Sequence, residues 1–158
     1  MIILPNKYTP KLLSVGSLSP DFNLMSNDGN FRGLYHYRGS FVVIYFYPHD
    51  DMNRSIKEIK LFRDKYRFFK ELNTLLFVIS EDTVDMVVEF SLKYAIPFSI
   101  LSDNDKVVAS KYKLLNKDNK VIRATFLINK DSNILKIWVD KRLKDYYEEI
   151  FLEVEKNE

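Results

Sequence analysis

The sequence predicts an α/β protein, a three-layer sandwich with a mixed central sheet and an N-terminal β-hairpin. Three observations carry that prediction. Residues 41–47 and 74–80 are short, almost wholly apolar runs, of a length that suits strands buried on both faces. Each is followed by apolar residues at steps of three and four, the order of parallel βαβ units. Two further apolar runs, 121–128 and 134–140, flank the turn-forming stretch 129–133, which reads as an antiparallel hairpin ahead of a final amphipathic helix.

Taken in order, residues 1–19 lack periodicity and carry Pro5, Pro10 and Gly16, so an extended arm or loop is expected. Residues 20–25 alternate apolar and polar side chains and meet Asp28-Gly29, a turn signal between the two arms of a hairpin, with 30–32 returning. Residues 34–39 connect to the strand at 41–47, which Pro48 ends because proline donates no ladder hydrogen bond. A polar loop follows, and a helix is expected from near Ser55, with Ile56, Ile59, Phe62, Tyr66 and Phe69 as its apolar stripe. After the strand at 74–80, Glu81-Asp82-Thr83 offers helix caps, and Val84, Val87, Val88, Ser91 and Tyr94 continue at helical spacing until Ile96-Pro97. Residues 98–101 form a short strand. Asp103-Asn104-Asp105 then caps a short helix through Tyr112, and 116–120 is a polar loop. Leu143, Tyr146, Tyr147, Ile150, Phe151 and Val154 mark the C-terminal helix.

With 158 residues and no linker or repeat, the chain is expected to be one domain over 1–158. Its 24 basic and 22 acidic side chains nearly cancel and are spread along the chain, which gives no argument for a nucleic-acid partner. No apolar run reaches the roughly 18 residues needed to span a bilayer. The N-terminus is a poor signal peptide, so a soluble cytoplasmic protein, monomer or homodimer, is the expectation. There is no cysteine, which excludes disulfides, thiolate catalysis and thiolate metal sites. Two histidines, His36 and His49, make a histidine metal cage a poor expectation, and no cofactor is implied.

The chain resembles the peroxiredoxins, thioredoxin-fold thiol peroxidases of the AhpC/TSA type, and most closely their bacterioferritin-comigratory-protein branch. The matching pieces run in order over about residues 14–140. They include Val15-Gly16 with Ser19-Pro20-Asp21-Phe22, Tyr37-Arg38-Gly39, Val43-Ile44-Tyr45-Phe46-Tyr47-Pro48, Val78-Ile79-Ser80-Glu81-Asp82, Pro97-Phe98, Leu101-Ser102-Asp103, and Arg123-Ala124-Thr125-Phe126. The resemblance implies a thioredoxin-like version of the sandwich. It also implies a site in which a Pro, a Thr or Ser and a peroxidatic cysteine occupy the loop and first helical turn after the first long strand. A later arginine completes that site. The chemistry needs these types, since only a thiolate attacks peroxide oxygen usefully and is carried to a sulfenic acid.

On that resemblance Pro48 and Arg123 match, and Glu58 matches an acidic helix position that orients the arginine. The nucleophile position, however, is Ser55, the Thr position is Met52, and Asn53-Arg54 replaces the usual Pro-Gly. Lys60 stands where many relatives carry a resolving cysteine. A serine hydroxyl has no counterpart to the thiol–sulfenate–disulfide cycle, so no thiol peroxidase activity is expected of the sequence as it stands. Two explanations of Ser55 follow. One is divergence to a binding or regulatory protein, whose partner is another protein or a small anion at the former peroxide pocket. The other is a thioredoxin-dependent peroxidase whose cysteine has been exchanged by design. The exchange at Met52, Asn53 and Arg54 favours the first.

The same loop carries residues of other chemistry. Ser55 with His49 and Asp50 or Asp51 could be read as a hydrolase site, but nothing resembles a Gly-x-Ser-x-Gly elbow, and a capping role for Ser55 is the simpler reading. His49 is expected to be a solvent-exposed loop side chain, His36 a surface or half-buried one, and Asp50-Asp51 solvated carboxylates rather than a metal site. Arg123 and Arg54 with the free N–H groups of a helix starting at Ser55 would suit an anion. The competing reading pairs Arg123 with Glu58.

Overall fold

The computed structural model describes residues 12–158. The first part of the expected N-terminal arm lies outside them. Strands β1 (Asn23–Met25) and β2 (Phe31–Gly33) pair antiparallel. Gly29, at φ +83°, closes the loop between them with its N–H on the carbonyl of Ser26, a left-handed position that glycine takes without steric cost. A single 3-10 turn at Leu34–Tyr37 leads into β3 (Phe41–Phe46).

The central sheet has the order β5-β4-β3-β6-β7. In it, β4 (Thr74–Ser80) and β5 (Ser99–Ser102) run parallel to β3, while β6 (Ala124–Ile128) and β7 (Ile134–Val139) form the antiparallel hairpin beside it. The expected mixed sheet is therefore present. The hairpin's first strand is shorter than the apolar run, because Val121 turns away to bridge Leu115 and pairing with β3 starts only at Ala124.

Alternation along β3 divides the core. Phe41, Val43, Tyr45 and Tyr47 face α1 (Met52–Glu71), α2 (Val84–Lys93) and α4 (Tyr147–Lys156), meeting Ile59, Phe62, Val87 and Ile150. Val42, Ile44 and Phe46 face the other way, onto Phe22, Leu34 and the short α3 (Val107–Lys111). Period-2 alternation with every β3 residue buried makes β3 the centre of all three layers. The expected C-terminal helix is divided into a 3-10 turn at Leu143–Asp145 and α4, which places Leu143 beneath the start of α1. No helix of the described residues is long and apolar enough to cross a membrane.

One boundary matters for the site. The first long helix begins at Met52, three residues before the expected start at Ser55. The cap is Asp51, whose Oδ1 accepts the N–H of Arg54 at 3.1 Å, as short acidic side chains do at this position.

Candidate active site

Pro48 to Asp51 carry the chain from the end of β3 to the start of α1, and Ser55 lies one turn inside the helix, fully buried. Its N–H already bonds the carbonyl of Asp51 at 3.1 Å. Its hydroxyl donates to that same carbonyl at 3.1 Å, with the carbonyl of Pro48 at 3.5 Å. Ser55 is thus a back-bonded helical serine, neither the cap nor the first free N–H. No base touches it. Both ring nitrogens of His49 face carboxylates on the loop after β4, Nδ1 at 3.0 Å from Glu81 and Nε2 at 3.1 Å from Asp82. His49 is an exposed loop side chain, as expected, and its contacts to Glu81 and Asp82 leave Ser55 without the proton acceptor a hydrolase needs.

Arg123 precedes β6 and is 4% exposed. Its Nη1 donates to Glu58 Oε1 at 3.1 Å and to the Tyr45 hydroxyl at 2.6 Å, and its Nη2 reaches only the carbonyl of Asp51 at 3.5 Å. Glu58, one turn beyond Ser55 on α1 and itself buried, is the hub of this network. Its Oε1 also accepts the Tyr45 hydroxyl at 2.8 Å, and its Oε2 accepts the backbone N–H of Leu143 at 2.7 Å. Arg54 Nε lies 3.6 Å from the same Oε1, while the Arg54 guanidinium bonds Asp140 at 3.1 Å. Arg54 and Arg123 do converge, but on an anion the chain supplies itself. A buried carboxylate with four donors or cations about it is satisfied, and it leaves the arginine beside it little capacity for an outside ligand.

Burial, reinforced by the negative charge of Glu58, holds the Tyr45 hydroxyl well above the ordinary tyrosine range. Burial also pushes Tyr47 up to about 12 and raises Tyr112 and Tyr146. With folded values above the unfolded one, the stability these groups contribute is complete below about pH 10 and is lost as pH rises beyond it, because the unfolded chain then releases protons the fold retains. Alkaline titration followed by tyrosinate absorbance should therefore ionise the exposed tyrosines first. The buried four should ionise in one step that coincides with loss of the far-ultraviolet dichroism. A smooth titration of all ten tyrosines around pH 10 with the fold intact would contradict these burials.

Met52, at the Thr position, lines a groove of about 310 Å³ between α1 and α2 with Met86, Phe90 and Tyr94. Lys60 places its ammonium 5.0 Å from the centre of the Tyr94 ring, a cation–π contact. Asp50 faces Lys120 at 3.4 Å. Among the described residues no group of three or more His, Asp or Glu could hold a metal ion. His36 is exposed, edge-on to Tyr37.

Sequence reasoning missed Tyr45, the Leu143 N–H and the Arg54–Asp140 pair. Tyr45 was discoverable, since its parity in the strand places it on the α1 face and a buried tyrosine hydroxyl requires a partner. The other two depend on how the 140–144 segment folds back, which no local pattern encodes.

Comparison with known proteins gives a consistent result. The model of the AhpC/TSA family matches residues 15–137. The chain is 30% identical over 145 residues to the putative peroxiredoxin bcp of Coxiella burnetii, covering 87% of this chain and 96% of that one. It is 31% identical over 144 residues to peroxiredoxin Bcp of Bacillus subtilis, covering 87% and 92%. Among solved structures, peroxidoxin BcpB from Mycobacterium tuberculosis superposes with a TM-score of 0.81 at 25% identity, covering 91% and 97%. A cysteine-to-serine mutant of Xylella fastidiosa PrxQ superposes at 0.84 and 22% identity, covering 93% and 98%, a likeness of fold.

Proposed function

The chain belongs to the AhpC/TSA family, among the Bcp-type peroxiredoxins, and from that premise we propose that it is a member without peroxidase activity, kept for a binding or regulatory role. The observation that carries the reading is Ser55. It puts oxygen where the reaction needs sulfur, and it points its hydroxyl into the helix backbone rather than toward an approaching substrate. Two further features support the reading. Met52 withdraws the neighbouring hydroxyl that would polarise a peroxide, and Glu58 with Tyr45 occupies Arg123. A small anion or a protein is the partner class expected of such a frame, and no step of redox chemistry is assigned to it.

The competing reading, a peroxidase silenced only by a designed exchange at residue 55, has one point in its favour. Cysteine-to-serine mutants of Xylella fastidiosa and Xanthomonas campestris relatives have been solved with this fold. The natural codon at position 55 separates the two, and the Ser55→Cys variant tests whether the rest of the pocket is intact. Given hydrogen peroxide and a thiol reductant, it should consume peroxide slowly, because the donors around residue 55 are already committed. Fast, sustained turnover by that single variant would show the rest of the pocket intact despite Met52 and overturn the reading of a remodelled site.

A further inference from the structure

Beside the former active site, on the outer side of Arg54, lies a cavity of about 440 Å³ that includes neither Ser55 nor Arg123 in its wall. Arg54 and Lys57 enter it from α1, and Arg142 and Lys144 from the segment that follows β7. Its two acidic wall residues are already engaged. Asp51 Oδ1 accepts the N–H of Arg54, and Glu58 takes Arg123, Tyr45 and the N–H of Leu143. Lys57, Arg142 and Lys144 form no ion pair among the described residues. Arg54 Nε is buried 3.6 Å from Glu58 Oε1, beyond hydrogen-bond range, while Nη1 and Nη2 of that guanidinium bond Asp140. A buried guanidinium N–H without a close acceptor is costly, and Lys57, Arg142 and Lys144, which outnumber the one wall carboxylate not paired to a cation, Asp51, raise the local concentration of anions.

We propose that this cavity binds a compact oxyanion carrying two or three negative charges, of the diphosphate or phosphate-ester class. The Arg142 guanidinium suits a tetrahedral oxyanion, which it can grip with paired N–H donors, and Arg54, held by Asp140, adds positive charge beside it. The two ammonium groups add charge without fixing geometry. Asn53 adds an amide at the wall, and Leu61 is the sole apolar lining residue. With no aromatic ring in the lining to stack a base, the site selects for the charged group and not for a nucleoside. The site gives the binding role proposed above a location, yet it stands whether or not residue 55 can act as a nucleophile. The peroxide assay and an anion titration can therefore fail separately.

The test is a titration of the full chain with inorganic pyrophosphate, and with phosphate for comparison, followed by calorimetry and amide chemical shifts. Pyrophosphate should bind more tightly than phosphate, with shifts concentrated at Asn53, Arg54, Lys57 and residues 142–144. The Arg142→Glu/Lys144→Glu variant, which alters two exposed side chains, should fold normally and weaken binding by at least about tenfold, about 1.4 kcal/mol. Added salt should weaken binding by the wild type. The proposal is overturned by no binding at about 10 mM pyrophosphate, a concentration that would detect even affinities weaker than about 4 kcal/mol. It is equally overturned if the charge-reversed variant binds as the wild type does, or if the shifts centre on Ser55 and Arg123.

Discussion

Replacing Glu58 by alanine will destabilise the fold by about 3–5 kcal/mol, the range seen when one member of a buried ion pair is removed. The reason is not the strength of the pair. It is what the pair leaves behind. Arg123, 4% exposed, would keep a full charge with no ion-pair partner left among the described residues, and both the Tyr45 hydroxyl and the Leu143 N–H would lose an acceptor in the interior. Urea unfolding of Glu58→Ala should therefore show a much lower midpoint at an unchanged slope. Adding Arg123→Met should recover a substantial part of the loss, since an apolar pair of similar volume removes the stranded charge. If Glu58→Ala were neutral, the network would not be the structural clasp described here.

Introducing Met52→Thr into the Ser55→Cys variant should raise the peroxide rate constant by about 10²-fold, the scale set by a single hydrogen-bond donor aimed at developing charge. Each substitution supplies a different missing part. Ser55→Cys provides an atom that can form a bond to peroxide oxygen and release hydroxide, leaving a sulfenic acid. Met52→Thr returns the donor that would stabilise the departing oxygen. Met52→Thr alone should remain inert, because it polarises a substrate that nothing attacks. Equal rates for the single cysteine variant and the double would show that residue 52 contributes nothing to the site, and that the divergence is confined to residue 55.

The sequence disclosed the architecture well for a physical reason. Residues 41–47 and 74–80 are apolar at both parities, and such runs have few places to go but the middle of a sheet. Helix and hairpin boundaries were less legible. The helix start moved from Ser55 to Met52 because a loop aspartate, Asp51, captures the Arg54 N–H, and a serine one turn later looks equally able to cap. The candidate site was half legible. Pro48, Ser55, Glu58 and Arg123 are gathered around the first turns of α1, as the resemblance implied, but the direction of each hydrogen bond was not. Whether Arg123 faced outward or paired with Glu58 depended on Tyr45 and on the backbone of Leu143, one packed from within β3 and the other brought in from 85 residues further along the chain.

With oxygen at residue 55, the peroxiredoxin fold proposed here to have lost its activity should not turn over peroxide. Hydrogen peroxide consumption by the unaltered protein, with thioredoxin and its reductase or dithiothreitol as electron source, tests this expectation most directly. The rate should be indistinguishable from that of the reductant alone at every protein concentration. A rate that rises in proportion to the protein, through repeated turnovers, would contradict it.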